Sequence, residues 1–157
     1  MTENPLIHIV LIEPEIPPNT GNIGRLCAAT NCHLHLVEPL GFLIDDKSLQ
    51  RAGMDYWQHL KWTAWPSFEA LKESYQEARF FYFTTKTSRV YTSVEYRSGD
   101  FLVFGRETKG LPEPLLEANE TSCVTIPIFN PQIRSLNLAT SVGIGLYEAI
   151  RQIGGSP

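Results

Sequence analysis

Apolar positions along the chain switch between two rhythms, and the switches mark the elements. Residues 6–13 (LIHIVLIE) form a β-branched apolar run suited to a central strand buried on both faces. Ile23, Leu26, Cys27 and Thr30 then fall at i, i+3, i+4 and i+7, one face of a helix. The Pro17-Pro18 pair delays that helix, which makes Asn19 or Thr20 its expected cap. His33–Val37 reads as a second strand, and Asp45 or Asp46 as the cap of a short helix through Arg51, stopped at Gly53. Ser67 precedes a helix over 68–77 with Phe68, Leu71 and Tyr75 on one side. Arg79–Thr84, Asp100–Gly105 and Cys123–Ile128 read as three further strands. A last helix is expected from Ser135 to Ile153, on an apolar stripe of Leu138, Val142, Leu146, Ala149, Ile150 and Ile153.

Strands alternating with helices predict one α/β domain over residues 1–157, a mainly parallel sheet flanked by helices. Ligands of open α/β sheets bind beyond the carboxyl ends of the strands. The unusual residues stand at those ends: EPEIPPNTGNIGR after the first strand, TTKTSR after the aromatic one, GRETKGLP and PIFNPQIRSLN after the last two. Four irregular segments are thus expected to meet at one sheet edge.

Composition narrows the chemistry. The 157 residues are 43% hydrophobic and 19% charged, as in an ordinary globular protein. No apolar run approaches the roughly 18–20 residues of a membrane span, and the short apolar run at the start has no basic segment before it. Three cysteines (Cys27, Cys32, Cys123) without C-x-x-C spacing indicate neither a disulfide framework nor a zinc site, so a reduced, cytoplasmic protein is expected. Net charge is −4, which globally disfavours a nucleic-acid partner. Its distribution is uneven. Residues 79–109 hold six cations (Arg79, Lys86, Arg89, Arg97, Arg106, Lys109) against Glu95, Asp100 and Glu107, a net +3, leaving −7 for the rest. That island is either a local phosphate site or a set of solvated loop charges.

Several common sites are missing: no G-x-G-x-x-G, no G-x-x-x-x-G-K-[ST] and no G-x-S-x-G occurs. His33 and His35 share one strand face, which fits either a metal pair or ordinary surface histidines; no metal is expected. More informative are three polar turns. Asn19-Thr-Gly-Asn-Ile-Gly-Arg25 sets an amide and a guanidinium six residues apart, and Arg25 either grips a phosphate or pairs with Glu13 or Glu15. In Phe104-Gly-Arg-Glu-Thr-Lys-Gly-Leu111 two glycines permit close backbone approach, and Glu107 is placed to accept hydrogen bonds from loop amides. Arg134-Ser-Leu-Asn137 opens the last helix, with Ser135 as its expected cap. Together they suggest recognition of a phosphorylated, ribose-bearing ligand.

Asn19…Gly21-Asn22…Arg25, Phe104-Gly105-x-Glu107-x-x-Gly110-Leu111 and Ile126-Pro127-Ile128…Arg134-Ser135-Leu136-Asn137-Leu138-Ala139 resemble, in order, the three signature motifs of the SPOUT (SpoU–TrmD) RNA methyltransferases. The blocks EPEIPPNTGNIGRLCA and EPLGF…DDK…RAGMDYW are similar to the TrmL (YibK-like) group within them. The resemblance implies S-adenosylmethionine-dependent 2′-O-methylation of the wobble ribose, on cytidine or a 5-modified uridine, in leucine tRNA. The same chemistry on another RNA such as rRNA, and a non-catalytic RNA-binding or assembly factor, are the competing readings. It implies a homodimer and a C-terminal trefoil knot over about residues 80–157, with S-adenosylhomocysteine as product. Phe83, Thr84, Gly105, Ile126, Ile128, Ser135 and Leu136 would line the cofactor pocket. Asn19, Arg25, Glu107, Ser135 and Asn137 would form the catalytic constellation. Gly24, Lys109 and Ala139-Thr140 depart from the motif pattern without removing any of these groups.

Overall fold

The computed structural model describes residues 4–44 and 57–154. Its strands are β1 (His8–Ile12), β2 (His33–Val37), β3 (Trp62–Trp65), β4 (Phe80–Phe83), β5 (Phe101–Phe104) and β6 (Cys123–Val124). They form one sheet in the order β3-β2-β1-β5-β4-β6, with every pairing parallel. The helices are α1 (Pro17–Ala29), α2 (Phe68–Ser74), α3 (Glu113–Ala118) and α4 (Leu138–Ile153). The expected parallel α/β sheet is what the chain forms.

β1 and β5 are central and buried along their whole length, which explains their unbroken apolar sequences. Alternate residues supply the two faces. Ile9, Leu11, Leu34, Leu36, Leu102 and Phe104 pack with Ile23 and Cys27 of α1 and Val142, Leu146 and Ala149 of α4. On the other face Val10, Val37, Tyr82, Phe101 and Val103 pack with Phe68 and Leu71 of α2 and Leu116 of α3. From β1 the chain steps outward to β2 and β3, then returns to the other side of β1. The switch point therefore lies between the carboxyl ends of β1 and β5.

Several boundaries differ from the sequence expectation. α1 starts at Pro17 itself, with both prolines in its first turn, so Asn19 and Thr20 are buried helical residues rather than caps. A proline suits that position because its φ is preset and the missing N–H would have had no helical partner. α4 starts at Leu138, and its cap is Asn137 rather than Ser135: Asn137 Oδ1 accepts from the Thr140 N–H at 3.2 Å. β6 covers only Cys123–Val124 of the expected 123–128, and α2 stops at Ser74. Ser67 caps α2 as expected, accepting from the Ala70 N–H at 3.1 Å. The edge strand β3 and the short, proline-started α3 were not anticipated. The helix expected over 45–51 lies outside the described residues. Among the described residues, no helix is long and apolar enough to cross a membrane.

Candidate active site

The turn leaving β5 is built by its two glycines. A Cβ on Gly105 would lie 2.1 Å from the Gly110 carbonyl carbon, so only a hydrogen permits the fold-back. Gly110 adopts φ +67°, where an L side chain is strained. The turn closes through Arg106 N–H to Gly110 O at 3.2 Å and Gly110 N–H to Arg106 O at 2.9 Å.

Three consecutive side chains of this turn then grip the segment after β1. Arg106 pairs with Glu13 at 2.8 Å. Glu107 accepts the backbone N–H groups of Glu15 (2.9 Å) and Ile16 (3.0 Å) and the side-chain amide of Asn19 (3.3 Å). Thr108 donates its N–H and its hydroxyl to Glu15 Oε1, at 3.2 and 2.8 Å. Glu107 thus serves the donors at the entrance of α1, where Ile16 offers no side-chain cap. An acceptor holding three donors is a brace rather than a proton carrier, in line with the sequence expectation.

The network reaches a third element. Asn137 Nδ2 donates to Asn19 Oδ1 at 3.1 Å. Asn19, Glu107 and Asn137, from three sequence motifs, are thereby joined in one chain of hydrogen bonds. Glu107 can only accept, which sets the Asn19 amide with its NH2 toward Glu107 and its oxygen toward Asn137.

Beside this network lies a cavity of about 290 Å³. All seven residues expected to line a cofactor pocket face it: Phe83, Thr84, Gly105, Ile126, Ile128, Ser135 and Leu136. Phe83 and Phe104 are stacked at 4.6 Å and 21° in its apolar wall. Gly145 of α4 makes this possible, since a Cβ there would sit 2.8 Å from the Phe83 ring. Lys86, Lys109 and Arg134 line the same cavity, and Glu107 is its one carboxylate among the described residues. Three of the four segments expected to converge line the cavity, and the fourth borders it through Glu107. Arg25, six residues along α1 from Asn19, is exposed and does not line the cavity. Glu13 pairs with Arg106 and Glu15 accepts from Thr108. Sequence reasoning missed this clamp, although the acidic EPE after β1 and the RET after β5 are complementary.

Residues 6–147 match the SpoU rRNA methylase family. The chain belongs to that family. It is 47% identical over 150 residues to the tRNA (cytidine(34)-2′-O)-methyltransferase of Escherichia coli K12, covering 95% of each chain. The enzyme of the same name from Aeromonas hydrophila is also 47% identical, covering 95% of this chain and 96% of the relative. A solved structure described as giving insight into 2-OH methylation of C/U34 on tRNA superposes with a TM-score of 0.89, at 44% identity and 96% and 97% coverage. These likenesses span nearly whole chains, so the match extends well beyond the three motifs.

Proposed function

We propose that this SpoU-family chain methylates the ribose 2′-oxygen of nucleotide 34, the wobble position, in leucine tRNA, with S-adenosylmethionine as donor. The observation that carries this reading is the braced Asn19–Glu107–Asn137 chain beside a cavity faced by all seven expected pocket residues. The cavity suits the donor: apolar side chains of Phe83, Ile126, Ile128 and Leu138 offer surfaces for a purine. Its turns at Thr84, Gly105 and Leu136 bring backbone polar groups to the same space. S-adenosylmethionine would supply a sulfonium-activated methyl group for transfer to an oxygen nucleophile, with S-adenosylhomocysteine as the leaving group.

The residues of this chain supply alignment and charge. Glu107, Asn19 and Asn137 lock α1 to the β5 turn and to the start of α4, fixing the direction in which α1 presents Arg25. A guanidinium offers donors and no acceptor, so Arg25 acts by charge and hydrogen bonding rather than as a base. Its role is to bind a phosphate next to the target ribose and to stabilise the charge developing on the 2′-oxygen. The proton leaves to that phosphate or to water. Ser135, at the cavity wall, would contact donor or ribose. Lys86, Lys109 and Arg134 at the same cavity offer phosphate contacts that offset the overall acidity. We place the enzyme in the cytoplasm as a homodimer, which would bring two such cation sets to one tRNA. Its C-terminal part, about residues 80–157, would be threaded as a trefoil knot. The family's name makes rRNA the second substrate to consider.

The test offers labelled S-adenosylmethionine with undermodified total tRNA or with rRNA. Label on tRNA alone supports the proposal. Label on rRNA alone would transfer the activity to that substrate. Donor binding without label on either would leave an RNA-binding role.

A further inference from the structure

The amino edge of the sheet, remote from the cavity above, holds a second polar cluster. His8 opens β1 and His33 opens β2, and the parallel register makes them direct partners. His35 follows on the same face of β2. All three are buried, which rules out the surface-histidine reading, and ring nitrogens from the three lie within 4.8 Å of one another.

Their hydrogen bonds fix most of the protons. Trp65 Nε1 can only donate, and it lies 3.0 Å from His35 Nδ1, which must accept. In a neutral ring His35 Nε2 then carries the proton and donates it to His8 Nδ1 at 2.9 Å. The remaining His8 nitrogen, Nε2, is left as an N–H donor. His33 Nε2 pairs with Thr63 Oγ1 at 2.8 Å, while His33 Nδ1 is buried without a hydrogen-bond partner. His35 is near-parallel to both neighbours, at 23° to His33 and 28° to His8, and both its nitrogens are occupied. A metal ion instead needs three bare nitrogens converging on one point.

A cavity of about 310 Å³ opens at this cluster, lined by His8, His33, Lys61, Tyr75, Ser98 and Asn4. Among the described residues no carboxylate lines it. We propose that it binds a small tetrahedral oxyanion of the sulfate or phosphate type. Lys61 would supply the charge, and His8, Tyr75 and Ser98 the N–H and O–H donors. A site of N–H and O–H donors with a lysine at its exposed rim disfavours a metal cation and suits an anion, whose charge Lys61 would balance. With the Thr63 hydroxyl donating to His33 Nε2, the unpartnered Nδ1 carries an N–H, a donor of the kind an oxyanion takes.

Sulfate is the probe of choice because it stays a dianion across the working pH range. The groups facing the cluster are His8 on β1, His33 and His35 on β2, Lys61 before β3 and Tyr75 after α2. Asp100 before β5 is already held by Arg79 at 3.2 Å and the Arg97 N–H at 2.7 Å. Calorimetry with sodium sulfate, against chloride at matched ionic strength, is expected to show saturable binding at one site per chain. Affinity should be the same at about pH 6 and at about pH 8, because burial holds the imidazoles neutral at both and they act as N–H donors rather than as charges. Lys61 is exposed, so Lys61→Met should fold normally and bind sulfate roughly tenfold or more weakly. Sulfate binding that a short single-stranded RNA displaces would identify the natural anion as a backbone phosphate; undisplaced binding would identify a free oxyanion. Three results would overturn the proposal: no saturable sulfate binding, equal affinity in Lys61→Met, or tight zinc binding that His33→Gln abolishes and sulfate does not affect.

Discussion

Asn137 donates its side-chain amide to Asn19 Oδ1 at 3.1 Å across 118 residues of sequence. One atom of Asn137 caps α4 and another reaches α1, while Asn19 passes the connection on to Glu107 in the β5 turn. Disturbing any member should therefore be felt by the other two.

Asn137→Ala removes a helix cap and an inter-helix bond together. We expect a loss of about 1–2 kcal/mol of stability and a larger fractional fall in methyl transfer than in donor affinity. In a double-mutant cycle with Asn19→Ala the effects should be non-additive by at least about 0.5 kcal/mol. Additive losses in chemical denaturation would show that the two amides act separately.

Glu107→Gln keeps the side chain's shape but replaces one of two accepting oxygens with a donor that faces N–H groups. Stability should fall by about 1–3 kcal/mol. The pH profile of the remaining activity should keep its form, since Glu107 braces α1 rather than moving a proton. A lost limb in that profile would make Glu107 an acid or base.

Gly105→Ala places a Cβ 2.1 Å from backbone that cannot move aside without opening the turn. Donor binding should be lost even where the variant still folds. Gly145→Ala, 2.8 Å from the Phe83 ring, should push that ring into the cavity and weaken donor binding. Calorimetric titration with S-adenosylhomocysteine checks both.

Burial lowers the pKa of His8 to about 3, of His33 to about 4 and of His35 to about 2, with the neighbouring imidazoles or Lys61 acting in the same direction. The unfolded chain, with histidines near about 6.5, binds more protons than the folded one between these values. Stability should be fully present above about pH 6.5 and fall as the solution is acidified toward about pH 4. The slope approaches at most about 1.4 kcal/mol per pH unit for each histidine. His35→Gln should flatten the acid limb of thermal unfolding measured in chloride buffer; an unchanged limb would place the acid sensitivity elsewhere.

The central strands were legible because a sheet buried on both faces writes its strands as apolar runs, as in LIHIVLIE and DFLVFG. Trp62–Trp65 was not, because an edge strand of four half-exposed residues carries no such run. The cap assignments failed for a different reason. The α1 entrance is served by Glu107, some 91 residues away, so the search for a local cap at Asn19 or Thr20 looked in the wrong place. At the site, residue types alone brought four segments to one edge; the seven cavity residues were assigned through the resemblance. His8 escaped notice as a partner of His33 and His35 because only strand register joins them.

Arg25→Ala tests the central claim most directly. Methyl transfer from labelled S-adenosylmethionine to undermodified leucine tRNA would be followed by nuclease digestion and fragment mass spectrometry. The expected result is a ribose-methylated nucleotide 34 with the unaltered protein and a rate lower by about 100-fold or more with the variant, donor affinity unchanged. Equal rates in the two proteins, or methylation at any nucleotide other than 34, would contradict it.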